Sequence, residues 1–177
     1  MDNFDLHIHA PLIEECRKGS SRAQFLLYNQ YSKAMYNIAY RMLNNREDAE
    51  DMLQETFVDC FRNLNSFRFE STFGAWLKRI LINKCINHLQ KKKIDLMLTD
   101  ELPNKAYEED DETVYDISGI IKGIEMLPDG YRVILTLYLL EGYDHTEISQ
   151  ILGISESTSK SQYSRAKEKL RSQLSKN

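Results

Sequence analysis

The sequence predicts an all-α protein of two small helical domains joined by an acidic linker, the C-terminal domain being a helix-turn-helix. Three observations carry that expectation. Breakers are scarce: 177 residues include three prolines (Pro11, Pro103, Pro128) and seven glycines, so long stretches can stay helical. Apolar residues recur through those stretches at spacings of three and four, the period of a helix with one buried face. The acid is concentrated in one place. Residues 94–118 hold nine Asp/Glu against one Lys/Arg, while 1–93 hold 11 against 14 and 119–177 hold seven against eight, which together give the net charge of -4. The run Glu108-Glu109-Asp110-Asp111-Glu112 repels itself and opposes packing. Residues 94–118 are therefore expected to be a linker, with domains over 1–93 and 119–177.

The first domain is expected to hold helices over 12–18, 22–44, 46–64 and 72–92. In the second of these, Phe25, Leu26, Tyr36, Ile38, Tyr40 and Leu43 are the expected core. In the third, Ala49, Met52, Leu53, Thr56, Cys60 and Leu64 face inward. Asp48, Asp51, Glu55 and Asp59 follow the same period and form one stripe, more than ~100° from the centre of the apolar face. Carboxylates in a row gain nothing from each other. The stripe is thus either solvated surface or a dock for a basic protein surface.

The fourth helix buries Leu77, Leu81, Cys85 and Leu89. Trp76, Arg79, Asn83, Asn87 and Gln90 share another face, and a ring, a cation and three amides can stack on and hydrogen-bond bases. Lys78, Lys84 and Lys91-Lys92-Lys93 are expected to add phosphate-binding charge. The preceding loop, Asn65-Ser66-Phe67-Arg68-Phe69-Glu70-Ser71-Thr72, places aromatics and a cation outside any helical pattern. Such a loop can hold an unstacked base, although Phe67 fits the core better than the surface.

In the second domain a helix is expected near 117–127 and another from Pro128, a residue suited to the first helical position, ending at Gly142. Asp144 with Glu147 has capping-box spacing. Ile148, Ile151 and Leu152 point inward, Gly153 supplies a left-handed turn, Ile154 plugs the angle, and Ser155 can cap the next helix. That helix, over 157–172, divides by angle. Tyr163, Ala166, Leu170 and Leu174 fall on one side. Ser157, Lys160, Ser161, Ser164, Lys167 and Arg171 fall on the other, flanked by Thr158, Arg165 and Lys169. Cations meet phosphates and short polar groups approach base edges. A merely solvated face accounts for the charges but not for the short helix, turn and plug at helix-turn-helix spacing.

Composition narrows the classes. An apolar fraction of 42% suits a folded globular chain, and no apolar run approaches the ~18 residues of a membrane span. The first residues, with Asp2 and Asp5, lack the basic start of a secretory signal, so a cytoplasmic location is expected. Cys16, Cys60 and Cys85 match no zinc pattern and read as small apolar residues. His7 and His9 lack further ligands and read as an exposed tail. No metal, cofactor or catalytic group is expected.

The segments Arg46-Glu47-Asp48-Ala49-Glu50-Asp51-Met52-Leu53-Gln54-Glu55-Thr56-Phe57 and Phe73-Gly74-Ala75-Trp76-Leu77-Lys78-Arg79-Ile80 resemble motifs of the extracytoplasmic-function (ECF) class of bacterial RNA polymerase sigma factors. So do Leu127-Pro128, Glu141-Gly142 and Glu147-Ile148 through Ser155. The resemblance spans both domains and the linker in the expected order. It implies a chain that binds core RNA polymerase and promoter DNA. Asp48, Asp51, Gln54 and Glu55 would dock on a coiled coil of the largest polymerase subunit. The loop with Phe67, Arg68, Phe69 and Ser71 would capture a flipped base of the minus-ten element, and Trp76, Arg79, Asn83 and Asn87 would contact that element as it opens. Ser157, Thr158, Lys160, Ser161, Ser164, Arg165 and Lys167 would read the minus-thirty-five element. The linker would run through the polymerase near its RNA exit path, and an anti-sigma protein would hold the free, monomeric factor. The chain departs from the family at Ser159, where a branched apolar residue is usual, and carries lysine at positions often occupied by arginine.

Two other readings compete. A self-sufficient helix-turn-helix regulator predicts a dimer and a palindromic site, yet it leaves the first domain unexplained. A metal nuclease needs inward carboxylates from a second helix, and none matches.

Overall fold

The computed structural model describes residues 8–92 and 117–174. The acidic linker, apart from its last two positions, lies outside the described residues, as do His7 and Lys93. Every regular element among the described residues is helical. Two compact units divide the chain, Met1–His88 and Leu89–Asn177.

The N-terminal unit contains α1 (Ala10–Arg17), α2 (Ser21–Leu43), α3 (Arg46–Arg62), a 3₁₀ turn (Leu64–Ser66) and most of α4 (Phe73–Lys91), whose last residues run past the unit's boundary at His88. Its boundaries follow from capping chemistry. Ser20 Oγ accepts from the Ala23 amide, and the Asn45 side chain accepts from the Asp48 amide, each satisfying a donor that the first helical turn leaves unpaired. Asn44, at φ 48°, takes the left-handed position that closes α2. α2 packs along α3, and α1 against α2. Ile13, Leu27, Ala39, Met42, Ala49, Cys60, Leu77, Leu81 and Cys85 are sealed inside.

The predicted inward face of α3 is buried as expected, and Phe57 joins it. In α2 the expectation fails in part. Ile38 and Leu43 are buried and Tyr36 and Tyr40 half-buried, but Phe25 is 62% exposed and Leu26 47%. The buried positions are Ala23, Leu27 and Met35 instead. α2 has apolar residues on both sides there, so hydropathy alone does not mark the inner one. His9 is not a loose tail either: it stands at the N-cap position of α1 without a side-chain capping bond, meets Gln30 Nε2 at 3.0 Å and lies edge-on to Tyr31.

The C-terminal unit contains α5 (Ile117–Glu125), α6 (Asp129–Leu135), α7 (His145–Leu152) and α8 (Glu156–Leu174). Its core gathers Ile124, Leu127, Leu135, Ala166 and Leu170, with Ile120, Tyr131, Leu140, Tyr163 and Leu174 against it. α5 can approach α8 closely because position 123 is glycine. A Cβ there would lie 2.6 Å from Leu170 Cδ1. Pro128 stands one place before the first helical position predicted for it, at ψ 148°, and its carbonyl accepts from the Arg132 amide. The helix that follows widens into a π turn over Thr136–Leu140. Arg132 is buried beneath, donating to the Leu127 carbonyl at 2.9 Å and pairing with Asp129.

Candidate functional site

The helix-turn-helix is built as its sequence requires. Asp144 Oδ1 accepts from the Glu147 amide at 2.8 Å and Glu147 Oε2 from the Asp144 amide at 2.9 Å, a complete capping box. Gly153 ends α7 at φ 68°, where a Cβ is strained. Ser155 Oγ accepts from the Thr158 amide at 3.0 Å and starts α8. The inward side of α8 holds Ala166 and Leu170, with Tyr163 and Leu174 half-buried. Of the predicted outer face, Ser157, Lys160, Ser164 and Arg171 are exposed, Ser161 and Lys167 half-buried, and of the flanking residues Thr158 and Arg165 are half-buried and Lys169 exposed. Lys160 is tethered by Glu156 at 2.6 Å, and Lys167 Nζ lies 4.9 Å from the Tyr163 ring centroid.

Ser159 points into the unit and is fully buried. Its hydroxyl meets His145 Nδ1 at 2.9 Å. The imidazole stacks on Tyr138 at 4.7 Å and stands edge-on to Tyr163 at 5.4 Å. Burial holds the His145 pKa below its ordinary value, and Lys160 lowers it further, against the opposing pull of Glu156 and Asp144. A polar pair thus joins α7 to α8. Gln162, also buried, carries no such mark in the sequence.

In the N-terminal unit, α3 and α4 share their charges. Asp51, Gln54 and Glu55 are exposed, but Asp48 is only 18% exposed, with His88 Nε2 3.2 Å from its Oδ1. Lys84 bridges Glu55 at 3.2 Å and Asp59 at 2.6 Å and is 19% exposed. The expectation that Lys84 supplies phosphate-binding charge is therefore corrected: its ammonium is spent on α3. Both helices bury their apolar residues, and Lys84 reaches the acidic stripe of α3 from α4. Gln54, Glu55, Val58, Asp59, Arg62 and Lys84 line a shallow depression of about 340 Å³.

Across α4, Arg79, Asn83, Asn87 and Gln90 are exposed along one face, with Trp76 half-buried at its head. Trp76 packs on Phe67 at 5.2 Å and Phe73 at 5.8 Å. Phe67 is 3% exposed and forms the floor of the loop, so its ring is not offered at the surface. Above it, Arg68 is exposed and Phe69 and Ser71 are half-buried. Phe69 takes φ 59°, a conformation that a bulky residue adopts only when its surroundings impose it. Cys60 and Cys85 are free, and burial pushes both thiols up to about 12, so neither is a nucleophile. Among the described residues no cluster of three or more His, Cys, Asp or Glu can hold a metal, and no helix is long and apolar enough to cross a membrane.

Comparison with known proteins agrees with this layout. The family model for Sigma-70 region 2 matches residues 27–94, and that for Sigma-70 region 4 matches residues 119–170. The chain is 32% identical over 176 residues to the ECF RNA polymerase sigma factor SigW of Bacillus subtilis, covering 92% of this chain and 94% of that protein. The chain belongs to the ECF sigma factors. The RNA polymerase sigma-H factor of Pseudomonas aeruginosa is 30% identical, with 89% of each chain covered. Among solved structures, the sigma factor RpoE in complex with the anti-sigma factor NepR from Bartonella quintana shares the fold at TM-score 0.57 and 24% identity, covering 85% of this chain and 95% of that one. CnrH, solved with the cytosolic domain of CnrY, does so at TM-score 0.57 and 21% identity, covering 99% of each. This sigma factor is accordingly a transcription initiation factor that directs RNA polymerase to promoters, not an enzyme.

Proposed function

We propose that the division of labour runs along the chain as 1–93, 94–118 and 119–177. The first segment docks on core polymerase through Asp48, Asp51, Gln54 and Glu55. It captures a non-template base of the minus-ten element in the loop of Arg68, Phe69 and Ser71, over the Phe67 floor, and lays Trp76, Arg79, Asn83 and Asn87 along the opening strand. The last segment reads the minus-thirty-five element with Ser157, Thr158, Lys160, Ser161, Ser164, Arg165 and Lys167. The observation that carries this reading is the outer face of α8. Ser157, Lys160 and Ser164 stand exposed on a helix whose start is fixed by Ser155 and whose angle is fixed by Gly153, the geometry for entering a major groove.

The energetics suit a factor that acts with a partner. A chain of net charge -4 neutralises few phosphates, so its own DNA affinity is weak and falls with salt. Docking on polymerase joins several modest contacts through one tether. Captured bases shift the equilibrium toward opened DNA without covalent chemistry. The cytoplasm, where polymerase and promoters are, is its place of action. An anti-sigma protein is its inhibitor, as supported by the complexes of RpoE with NepR and CnrH with CnrY.

The test is reconstitution. Purified protein is added to core polymerase and initiation is scored on a library of genomic fragments. Promoter-dependent starts that need the protein are expected. No start on any fragment, or tight palindromic binding without polymerase, refutes the proposal.

A further inference from the structure

Arg17 ends α1, and its side chain leaves the helix for the loop after α3. Three of its edges are in use. Nε and Nη2 donate to the Leu64 carbonyl at 3.3 and 3.2 Å, Nη2 donates to the Phe67 carbonyl at 2.5 Å, and Nη1 donates to Glu14 Oε1 at 2.6 Å. The guanidinium carbon lies 5.3 Å from the centre of the Phe69 ring, within cation–π range. One side chain thus fixes the two carbonyls that bracket the start of the loop and the ring that follows them. That ring belongs to Phe69, whose φ of 59° persists only where neighbours hold it. Arg17 is 19% exposed and reaches 47 and 50 residues along the chain, so it is no ordinary solvated arginine. A lysine presents a point charge and cannot serve both carbonyls and the ring face in one plane. α1 also lies outside residues 27–94, which match the family model.

We propose that Arg17 is a positioning residue for promoter opening: it holds the Phe67–Ser71 loop in the shape that receives a flipped minus-ten base. The inference rests on the base-capturing role assigned to that loop. Arg17 itself touches no DNA. It acts by keeping the Phe67 carbonyl turned inward and the Phe69 ring folded back, which leaves the Arg68 to Ser71 edge open to a base. A site held by packing and hydrogen bonds loses its fit when one support is removed, and small displacements of a positioning group are costly.

The test uses holoenzyme assembled from core polymerase and full-length wild type, Arg17→Lys, Arg17→Ala or Lys18→Ala. The last removes a neighbouring exposed cation that pairs only with Glu15 among the described contacts. The probe is the non-template strand of a promoter recovered by reconstitution, intact or carrying a single abasic site at each minus-ten position in turn. In wild type, one abasic position is expected to weaken binding on the order of tenfold, as loss of one stacked base does. Arg17→Ala should erase that penalty and Arg17→Lys most of it. Lys18→Ala should keep it. Affinity for core polymerase and the helical circular dichroism of the free protein should stay as in wild type. A full abasic penalty in Arg17→Ala or Arg17→Lys overturns the proposal. Equal weakening of intact and abasic strands, with the penalty preserved, also overturns it, because Arg17 would then serve folding alone. If wild type shows no penalty at any position, the loop does not capture a base, and the assignment to the loop fails first.

Discussion

Removing the Ser159 hydroxyl tests how α8 is held against α7. Ser159→Ala deletes the 2.9 Å contact with His145 Nδ1 and leaves a void of one oxygen. A net hydrogen bond contributes about 1 kcal/mol. Alanine returns roughly half of that through its better helix propensity. His145 is a half-buried residue, so the cost is worked as that of a net hydrogen bond and not as that of a fully buried orphaned group. The C-terminal unit should therefore lose about 0.5–1 kcal/mol, which lowers its melting temperature by roughly 2–8 °C for a unit of this size. The assay has an internal control. Trp76 is the sole tryptophan and lies in the N-terminal unit, so its fluorescence transition should stay put while exchange of the Ile148 and Leu152 amides speeds up. Unchanged exchange in α7 would show that the His145–Ser159 pair contributes nothing.

The same pair sets a pH dependence. His145 is held neutral by burial between Tyr138 and Tyr163 and by Lys160, with Glu156 and Asp144 opposing. Its folded pKa lies below the unfolded value of 6.5, so the unfolded chain takes up the proton first. Stability of the C-terminal unit should be level above pH 6.5 and fall as pH drops from there through the folded pKa. His145→Gln should flatten that decline. A stability profile unchanged by the substitution would refute the assignment.

Other outcomes follow from single contacts. Lys160→Ala should weaken promoter binding by holoenzyme and reduce the salt slope by about one counterion. It should also raise the His145 pKa, read by proton NMR, because a lowering cause is gone. An unaltered salt slope would take Lys160 out of the groove. Gly123→Val should destabilise the C-terminal unit by about 1–3 kcal/mol, since even a Cβ meets Leu170 at 2.6 Å, and a melting temperature equal to wild type would show that Leu170 simply moves aside.

What was legible in the sequence was local. The capping box at Asp144, the left-handed Gly153 and the Ser155 cap involve residues within a few positions of each other, and all form as expected. What was not legible depends on partners far along the chain. Phe25 and Leu26 are apolar yet exposed, because α2 has apolar residues on two sides and only its packing with α1 and α3 selects one. Lys84 looked like phosphate-binding charge until α3 brought Glu55 and Asp59 to it. Arg17 and His145 act across 47 and 14 residues, and no spacing rule within one helix connects such pairs.

The Lys84 bridge also divides the acidic stripe into unequal parts. Glu55 and Asp59 share one cation, while His88 stands over Asp48 as an ion pair only when its imidazole is protonated. Asp51, exposed between them, is paired with no cation among the described residues and is left as the centre of charge facing solvent. A basic partner should therefore draw more from Asp51 than from Glu55, although the two lie on the same face. Reversal makes the difference measurable. Asp51→Lys should weaken core polymerase binding by at least an order of magnitude, as placing like charge against a basic surface does, with the Trp76 melting transition unchanged. Glu55→Lys sets a second ammonium beside Lys84 and should lower that transition slightly, by about 0.5 kcal/mol for a solvent-screened pair. Its effect on docking should be smaller, because Asp59 keeps Lys84 and the site loses a charge that was already half spent. Equal losses of affinity in the two variants would mean that the polymerase displaces Lys84 on docking, and that the bridge seen in the free protein does not grade the stripe.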